Sequence, residues 1–279
     1  MSAPILTDTA ALARNRARAA RQPALFLHEL VADEVQDRLS EVKRTFTDVT
    51  IVTPWPEVWA GRIGGARIIP DAEILDLAPE SQDLVVHALS LHWSNDPVGQ
   101  LIQCARALRP DGLMMAVLFG GQTLSELRAV LAQAESEMRG GLAPRVLPMA
   151  EIRDLGGLLQ RSGLALPVAD SQSQRVAYRD LFHLMRDLRD MGEVNALNDR
   201  LRRFTGRGIF LRAASLYGEH FPEGDRIAAT FEMVYLTGWK PHESQQKPLR
   251  PGSAAHSLAE ALNAAPPLTS GAIGRSDSD

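Results

Sequence analysis

One cysteine in 279 residues leaves nothing from which to build a disulfide framework or a multi-thiolate metal site. Cys104 falls inside a helical pattern and reads as packing, and thiol usage this sparse suits a reducing, cytoplasmic compartment. No apolar run approaches the roughly 18 residues of a membrane span. A cationic excess is missing too. Thirty Lys and Arg against 34 Asp and Glu leave a formal charge of -4, which argues against a nucleic-acid binder while leaving local basic patches open. His87, His92, His183, His220 and His242 are scattered, without the two-histidine, one-carboxylate pattern of an iron site, so no metal is assigned. What is present is ordinary for a folded protein: 45% hydrophobic and 23% charged residues. The length suits one large α/β domain or a domain with a cap.

The most informative stretch runs from Asp83 to Gly121. Leu84 to Leu89 is an apolar run of buried-strand length after a polar turn at Pro79–Gln82. Asp96 can cap a helix that has Pro97 at its first position, and Val98, Leu101, Ile102 and Ala105 recur at helical spacing. Arg109–Gly112 reads as the turn ending that helix, and Leu113 to Phe119 is a second apolar strand closed by Gly120 and Gly121. This is a βαβ unit of a parallel sheet covered on both faces. Ligands of such sheets sit beyond the carboxyl ends of the strands, here Ser90–Trp93 and Gly120–Gln122.

The N-terminal segment 9–22 is rich in Ala and Arg and poor in acids. It reads as a mature helix packing on the sheet edge, although the composition also suits a mitochondrial transit peptide. An amphipathic helix follows, with Leu27, Leu30, Val31, Val35, Leu39 and Val42 on one stripe. Thr45–Thr53 is the candidate first strand. Beyond Gly121, helices are expected over 123–139 and in the segment ending at Gly163, with a strand starting at Leu164–Val168. A helical cap spans about 172–222. It carries Leu181, Leu184, Met185 and Leu188 on its inner face and a basic patch at Arg200, Arg202, Arg203 and Arg207 that suits an acidic partner or solvent. Ile227–Thr237 is a strand with Phe231, Met233 and Tyr235 on one side, and the end of the chain, 264–279, reads as disordered.

In order, SLHWSND, RPDG, FGGQTLSELR, DLGGLLQRSG, LMRDLRDMGE and GWKPHESQQKP resemble the methyltransferase-like arginine hydroxylase family that assembles respiratory complex I. That family lies within the class I S-adenosylmethionine-dependent methyltransferases. The resemblance covers roughly residues 20 to 255 and implies a Rossmann-like α/β sheet over 45–263 preceded by helices at 1–44. It also implies S-adenosylmethionine as cofactor, with Thr53, Asp71, Ala72, Leu89 and Ser90 as its contacts and Asp71 as the acceptor from the adenine amino group. A terminal signature at Trp239, Lys240, His242 and Gln245 is implied to touch substrate or partner, by resemblance a subunit of complex I.

Two departures stand out. The first strand should feed a G-x-G-x-G turn, which frees backbone N–H groups for the cofactor. The chain has Pro54, Trp55 and Pro56 there, and prolines supply no N–H donors. Only Trp59–Ala66 separates that turn from Arg67–Ile69, too little for a helix, an acid-ended strand and another helix, so the sheet is expected to be one strand short.

Three readings follow. The chain is a complex I assembly protein of the arginine hydroxylase type acting on a protein; or a small-molecule or carrier-protein methyltransferase, resembling the biotin-pathway carboxyl methyltransferase; or a non-catalytic relative that binds a partner. His92 is the candidate general base, with a satisfied rim histidine as the alternative. The expected location is cytoplasmic, with the inner-membrane surface or the mitochondrial matrix as alternatives.

Overall fold

Four strands form the parallel part of the sheet. Val49–Val52 (β1) pairs with Arg67–Ile69 (β2) on one side and with Gln82–Ala88 (β3) on the other, and β3 pairs with Leu108–Phe119 (β4). Arg226–Trp239 (β7) then runs antiparallel to β4, and Ala165–Tyr178 (β5) antiparallel to β7. The order is β2-β1-β3-β4-β7-β5, with the two-residue Pro222–Glu223 (β6) folded back on β7. A doubly wound sheet usually carries one more strand next to the first. Among the described residues β2 is the edge, reached from β1 through the single turn Pro56–Trp59 (α3). The sheet is therefore short by the strand the sequence leaves no room for. This computed structural model describes residues 5–245. A first compact unit runs to Glu243 and a second begins at Ser244. The tail expected at 264–279 lies outside the described residues.

Alternation along the strands sorts their side chains onto two faces. Leu84, Val86, Met115, Val117, Phe231, Met233 and Tyr235 enter the larger core. Onto this core pack Phe26–Glu41 (α2), Ser125–Arg139 (α5), Leu181–Asp190 (α7) and Arg207–His220 (α8). Val85, Met114, Ala116, Leu118, Val234 and Leu236 enter the other, covered by Pro97–Ala107 (α4) and Ile152–Arg161 (α6). Each fully buried Leu or Val contributes roughly 1.5–3 kcal/mol. Asp96 caps α4 through Gly99 N–H at 2.7 Å, with Pro97 in its first turn.

Several boundaries move. The first strand is shorter than 45–53 because the Asp83 carboxylate draws in the Thr47 and Asp48 N–H groups, at 3.4 and 3.2 Å, ahead of the ladder. Arg109–Gly112 is part of β4 rather than a separating turn: the register slips between Gln82 and Leu84, and Asp111 bulges out at φ 64. Leu124 stands at φ 54, so α5 starts at Ser125. The cap is smaller than 172–222. Residues to Tyr178 form β5, an outer strand whose Ser and Gln side chains face solvent, and the cap begins at α7. Leu30 and Ile102 are exposed rather than inward-facing. The segment 9–22 forms helix α1 (Thr9–Ala19), which packs on α7 and Trp93 instead of the sheet edge.

Candidate functional site

From β1 the chain winds to β2, and from β3 it winds the opposite way to β4. The carboxyl ends of β1 and β3 therefore flank a topological switch point, the place where open α/β sheets hold ligands. A crevice of about 410 Å³ opens there, lined among others by Arg16, Asp71, His87, Ser90, Trp93 and Gln100. Gln100 pins its far wall by donating to the Ala72 and Glu73 carbonyls at 2.8 and 3.0 Å. His87 is fully enclosed, and burial pushes its pKa down to about 4, so the ring is neutral near pH 7. Ser90 is buried, and its Oγ has no hydrogen-bond partner among the described residues. Leu89, at φ 46 and fully buried, donates its N–H to Val117 O at 2.8 Å.

The turn after β1 does not present donors to this crevice. Thr53 N–H goes to Ile69 O at 3.0 Å, and Trp55 N–H goes to Thr53 Oγ1 at 3.2 Å. The Trp55 ring is buried in the core, edge-on to His28. Across the crevice, Arg16 of α1 donates through Nη1 to Asp71 Oδ2 at 2.7 Å, and both side chains are largely buried.

Beyond Trp93 lies a second cavity of about 240 Å³ under the cap. It is walled by Phe119, Leu127, Leu131, Met185, Phe210 and Phe231, with Glu193 among its few polar groups. Trp93 lines both cavities and divides them. Glu193 is placed by the end of α7. Gly192 adopts φ 82, and a Cβ there would sit 3.1 Å from Arg16 Cγ. Only glycine makes that turn without strain. Trp93 Nε1 donates to Glu193 Oε2 at 2.7 Å, and His92 Nε2 lies 3.3 Å from the same oxygen. Burial pushes the Glu193 carboxyl up, but the His92 ring, the Arg16 guanidinium and the Trp93 N–H outweigh it and hold the group below the ordinary carboxylate range.

The anticipated residues thus fall in separate places. Thr53, Asp71, Leu89 and Ser90 gather at the switch point, Ala72 contributes its carbonyl there, and His92 leans away from the crevice toward Glu193. Trp239 pairs with Leu113 at the amino end of β4, the far end of the sheet, and Lys240 Nζ donates to Ala105 O at 3.0 Å. Gln245 belongs to the second unit, and His242 lies beyond β7. Arg16 and Glu193 were not singled out as site residues. The one signal was that Glu193 closes the LMRDLRDMGE motif. Among the described residues no group of three or more His, Cys, Asp and Glu side chains stands in a metal-holding arrangement, and no helix is long and apolar enough to cross a membrane.

A methyltransferase domain family matches residues 35–116. The arginine-hydroxylase NDUFAF5, mitochondrial, of Dictyostelium discoideum is 43% identical over 190 residues, covering 67% of this chain and 43% of that protein. The human protein of the same name is 41% identical over 194 residues, covering 69% and 56%. The chain is a methyltransferase-fold homologue of the NDUFAF5 arginine hydroxylases. A malonyl-[acyl-carrier protein] O-methyltransferase of Laribacter hongkongensis is also similar, 35% identical over 187 residues, covering 67% of this chain and 61% of that protein. The chain spans about half the length of the curated relatives it matches.

Proposed function

We propose that the chain works on a protein substrate as an assembly protein of the arginine hydroxylase type, by resemblance on a subunit of respiratory complex I. A substrate side chain enters the cavity under the cap. The observation that carries this reading is the size and lining of that cavity. It is a mainly apolar chamber of about 240 Å³ beside the strand ends, smaller than the roughly 300–1,000 Å³ of sites that enclose whole small molecules. One extended side chain is what it has room for.

In this reading the switch point does not fit S-adenosylmethionine. Trp55 fills the space where a glycine turn would let the donor approach, and its N–H is turned inward to Thr53. Asp71, the expected adenine acceptor, is held by Arg16. A sulfonium donor would also share the crevice with the Arg16 cation. These three points support donor-free action, and the same observations favour the non-catalytic reading over a small-molecule methyltransferase. The terminal signature at Trp239, Lys240, His242 and Gln245 is proposed as a partner contact.

The test has two arms. Calorimetric titration of the full chain with S-adenosylmethionine to millimolar concentration is expected to show no binding. A photo-crosslinking residue in place of Val146, at the cavity lining, is expected to capture a complex I subunit in extracts of the native cell. Micromolar donor binding would overturn the first part, and capture of no complex I subunit would overturn the second.

A further inference from the structure

The outer side of the cap gathers apolar side chains that face solvent. Phe204 is 95% exposed, and Met138, Leu142 and Leu211 are exposed as well. These residues belong to segments that converge. At the start of α8, Gly208 lies against Met138 near the end of α5, where a Cβ on the glycine would come 2.7 Å from Met138 Cε. Arg212 of α8 binds Glu137 of α5 at 2.6 Å, and Arg145, three residues after Leu142, donates to Thr205 Oγ1 at 3.1 Å. The loop that carries Phe204 is held at both ends. Thr205 takes the Arg145 contact, and Arg200 donates to Asp8 Oδ2 at 2.8 Å and to Leu197 O at 2.7 Å. Phe204 is thus presented to solvent from an anchored backbone, and exposed apolar groups rimmed by charge mark interaction sites.

Charge is uneven in the same place. The chain as a whole is anionic, at -4, yet Arg202, Arg203 and Arg207 are exposed on either side of Phe204 in the sequence. Asp8 is taken by Arg200, Glu135 by Arg145 and Glu137 by Arg212. Arg202 reaches Asp8 only at 3.5 Å, and Arg203 and Arg207 have no carboxylate partner among the described residues.

We propose that this face docks an acidic, amphipathic segment of a partner protein, with its apolar side chains on Phe204, Leu211 and Met138 and its carboxylates on Arg203 and Arg207. A guanidinium takes a carboxylate through two parallel N–H donors, so two open arginines flanking an apolar anchor fit carboxylates at fixed spacing. An anionic bilayer suits the face less well. The outer side of α8 carries Arg207, Leu211, Ser215 and Glu219, without the continuous apolar stripe of a helix that lies in a headgroup layer. Asp199 and Glu219 are exposed, and with the net charge of the chain they oppose a uniformly negative surface. Arg203, Phe204, Arg207 and Leu211 line neither the crevice nor the chamber, so the face is tested independently of both.

The experiment follows the fluorescence anisotropy of a labelled peptide, with Leu at helical spacing and Glu elsewhere, as the full chain is added. A counterpart with Gln in place of every Glu tests the charge, and vesicles of phosphatidylcholine with phosphatidylserine test a bilayer. Wild type is expected to bind the Glu peptide about tenfold or more tightly than the Gln peptide, and more weakly as salt rises. Phe204→Ser, and Arg203→Glu together with Arg207→Glu, are each expected to weaken the Glu peptide about tenfold or more. Thermal melting is expected to stay at the wild-type value, because all three side chains face solvent. Arg203→Gln with Arg207→Gln stands in if the charge reversal disturbs folding. Equal binding of the two peptides, no binding of the Glu peptide at millimolar concentration, or wild-type binding by the folded variants would overturn the proposal. Capture by the vesicles without binding of the Glu peptide would also overturn it, and would assign the face to a bilayer.

Discussion

Arg145 offers a sharp test of how the roof of the cap chamber is held. Its guanidinium meets the Glu135 carboxylate on α5, and it also donates to Thr205 Oγ1 at 3.1 Å and lies over the Phe210 ring. The Glu135 side chain is 1% exposed, and its other contacts are the Ala143 N–H at 2.9 Å and Arg139 at 3.8 Å. Arg145→Met keeps much of the packing but strands that carboxylate. Removing one partner of a buried pair typically costs about 3–5 kcal/mol. The remaining Ala143 and Arg139 contacts place this variant near the lower end, about 3 kcal/mol, or roughly 6–12 °C in melting temperature. The pH dependence carries the diagnosis. Burial pushes the Glu135 carboxyl up, but Arg145 and the Ala143 N–H outweigh it and hold the group below its ordinary value of 4.5. Its contribution to wild type is therefore present above that value and lost as pH falls below it. In Arg145→Met burial dominates, the carboxyl titrates above 4.5, and the variant recovers as acid neutralises it. Urea unfolding followed by tryptophan fluorescence near pH 7 and near pH 4 reads both effects. A loss below about 1 kcal/mol, or the same loss at both pH values, would refute the reasoning, because the buried-charge penalty would then be absent.

Two further outcomes follow from the same physics. Asp83 is pushed up by burial but drawn down to about 2 by Thr47 Oγ1, the Asp48 N–H and Arg109. Asp83→Asn should lose about 2 kcal/mol near neutral pH, with the deficit fading as pH falls from about 4 to 2; a pH-independent deficit in urea titrations would contradict this. Cys104 is fully buried and burial pushes its thiol up to about 12, so the native chain should resist a thiol reagent near pH 8 and react once denatured. Native labelling at the denatured rate would show that α4 opens freely.

Contacts between distant segments are where sequence reading ran out. The cap boundary moved because β5 is an outer strand. Its Ser171, Gln172 and Ser173 are exposed in succession, so no apolar alternation announced a strand. Arg109–Gly112 has the composition of a turn, and only pairing with β3 turned it into a strand with a bulge. Glu193 and Arg16 look like two more charges on amphipathic helices. Their partners lie 101 and 55 residues away, at His92 and Asp71, and no local pattern encodes such a meeting. Trp239 and Lys240 carry a recognisable signature, but the antiparallel course of β7 delivers them to the amino end of β4, away from the crevice.

What the amino-acid sequence determined by itself is the local and the periodic. It specified the βαβ block from Asp83 to Gly121, the capped start of α4, the shared face of Phe231, Met233 and Tyr235, the absent glycine turn and the sheet one strand short. Each depends on neighbours within a few residues, where steric limits and apolar spacing act directly. The tertiary structure alone decided that α1 would lay Arg16 across the switch point and that Gly192 would turn Glu193 back beneath Trp93. It also decided that two chambers rather than one would open beside the strand ends. Those outcomes depend on how whole elements pack, because a buried charge gains its partner only when distant helices close over the same sheet.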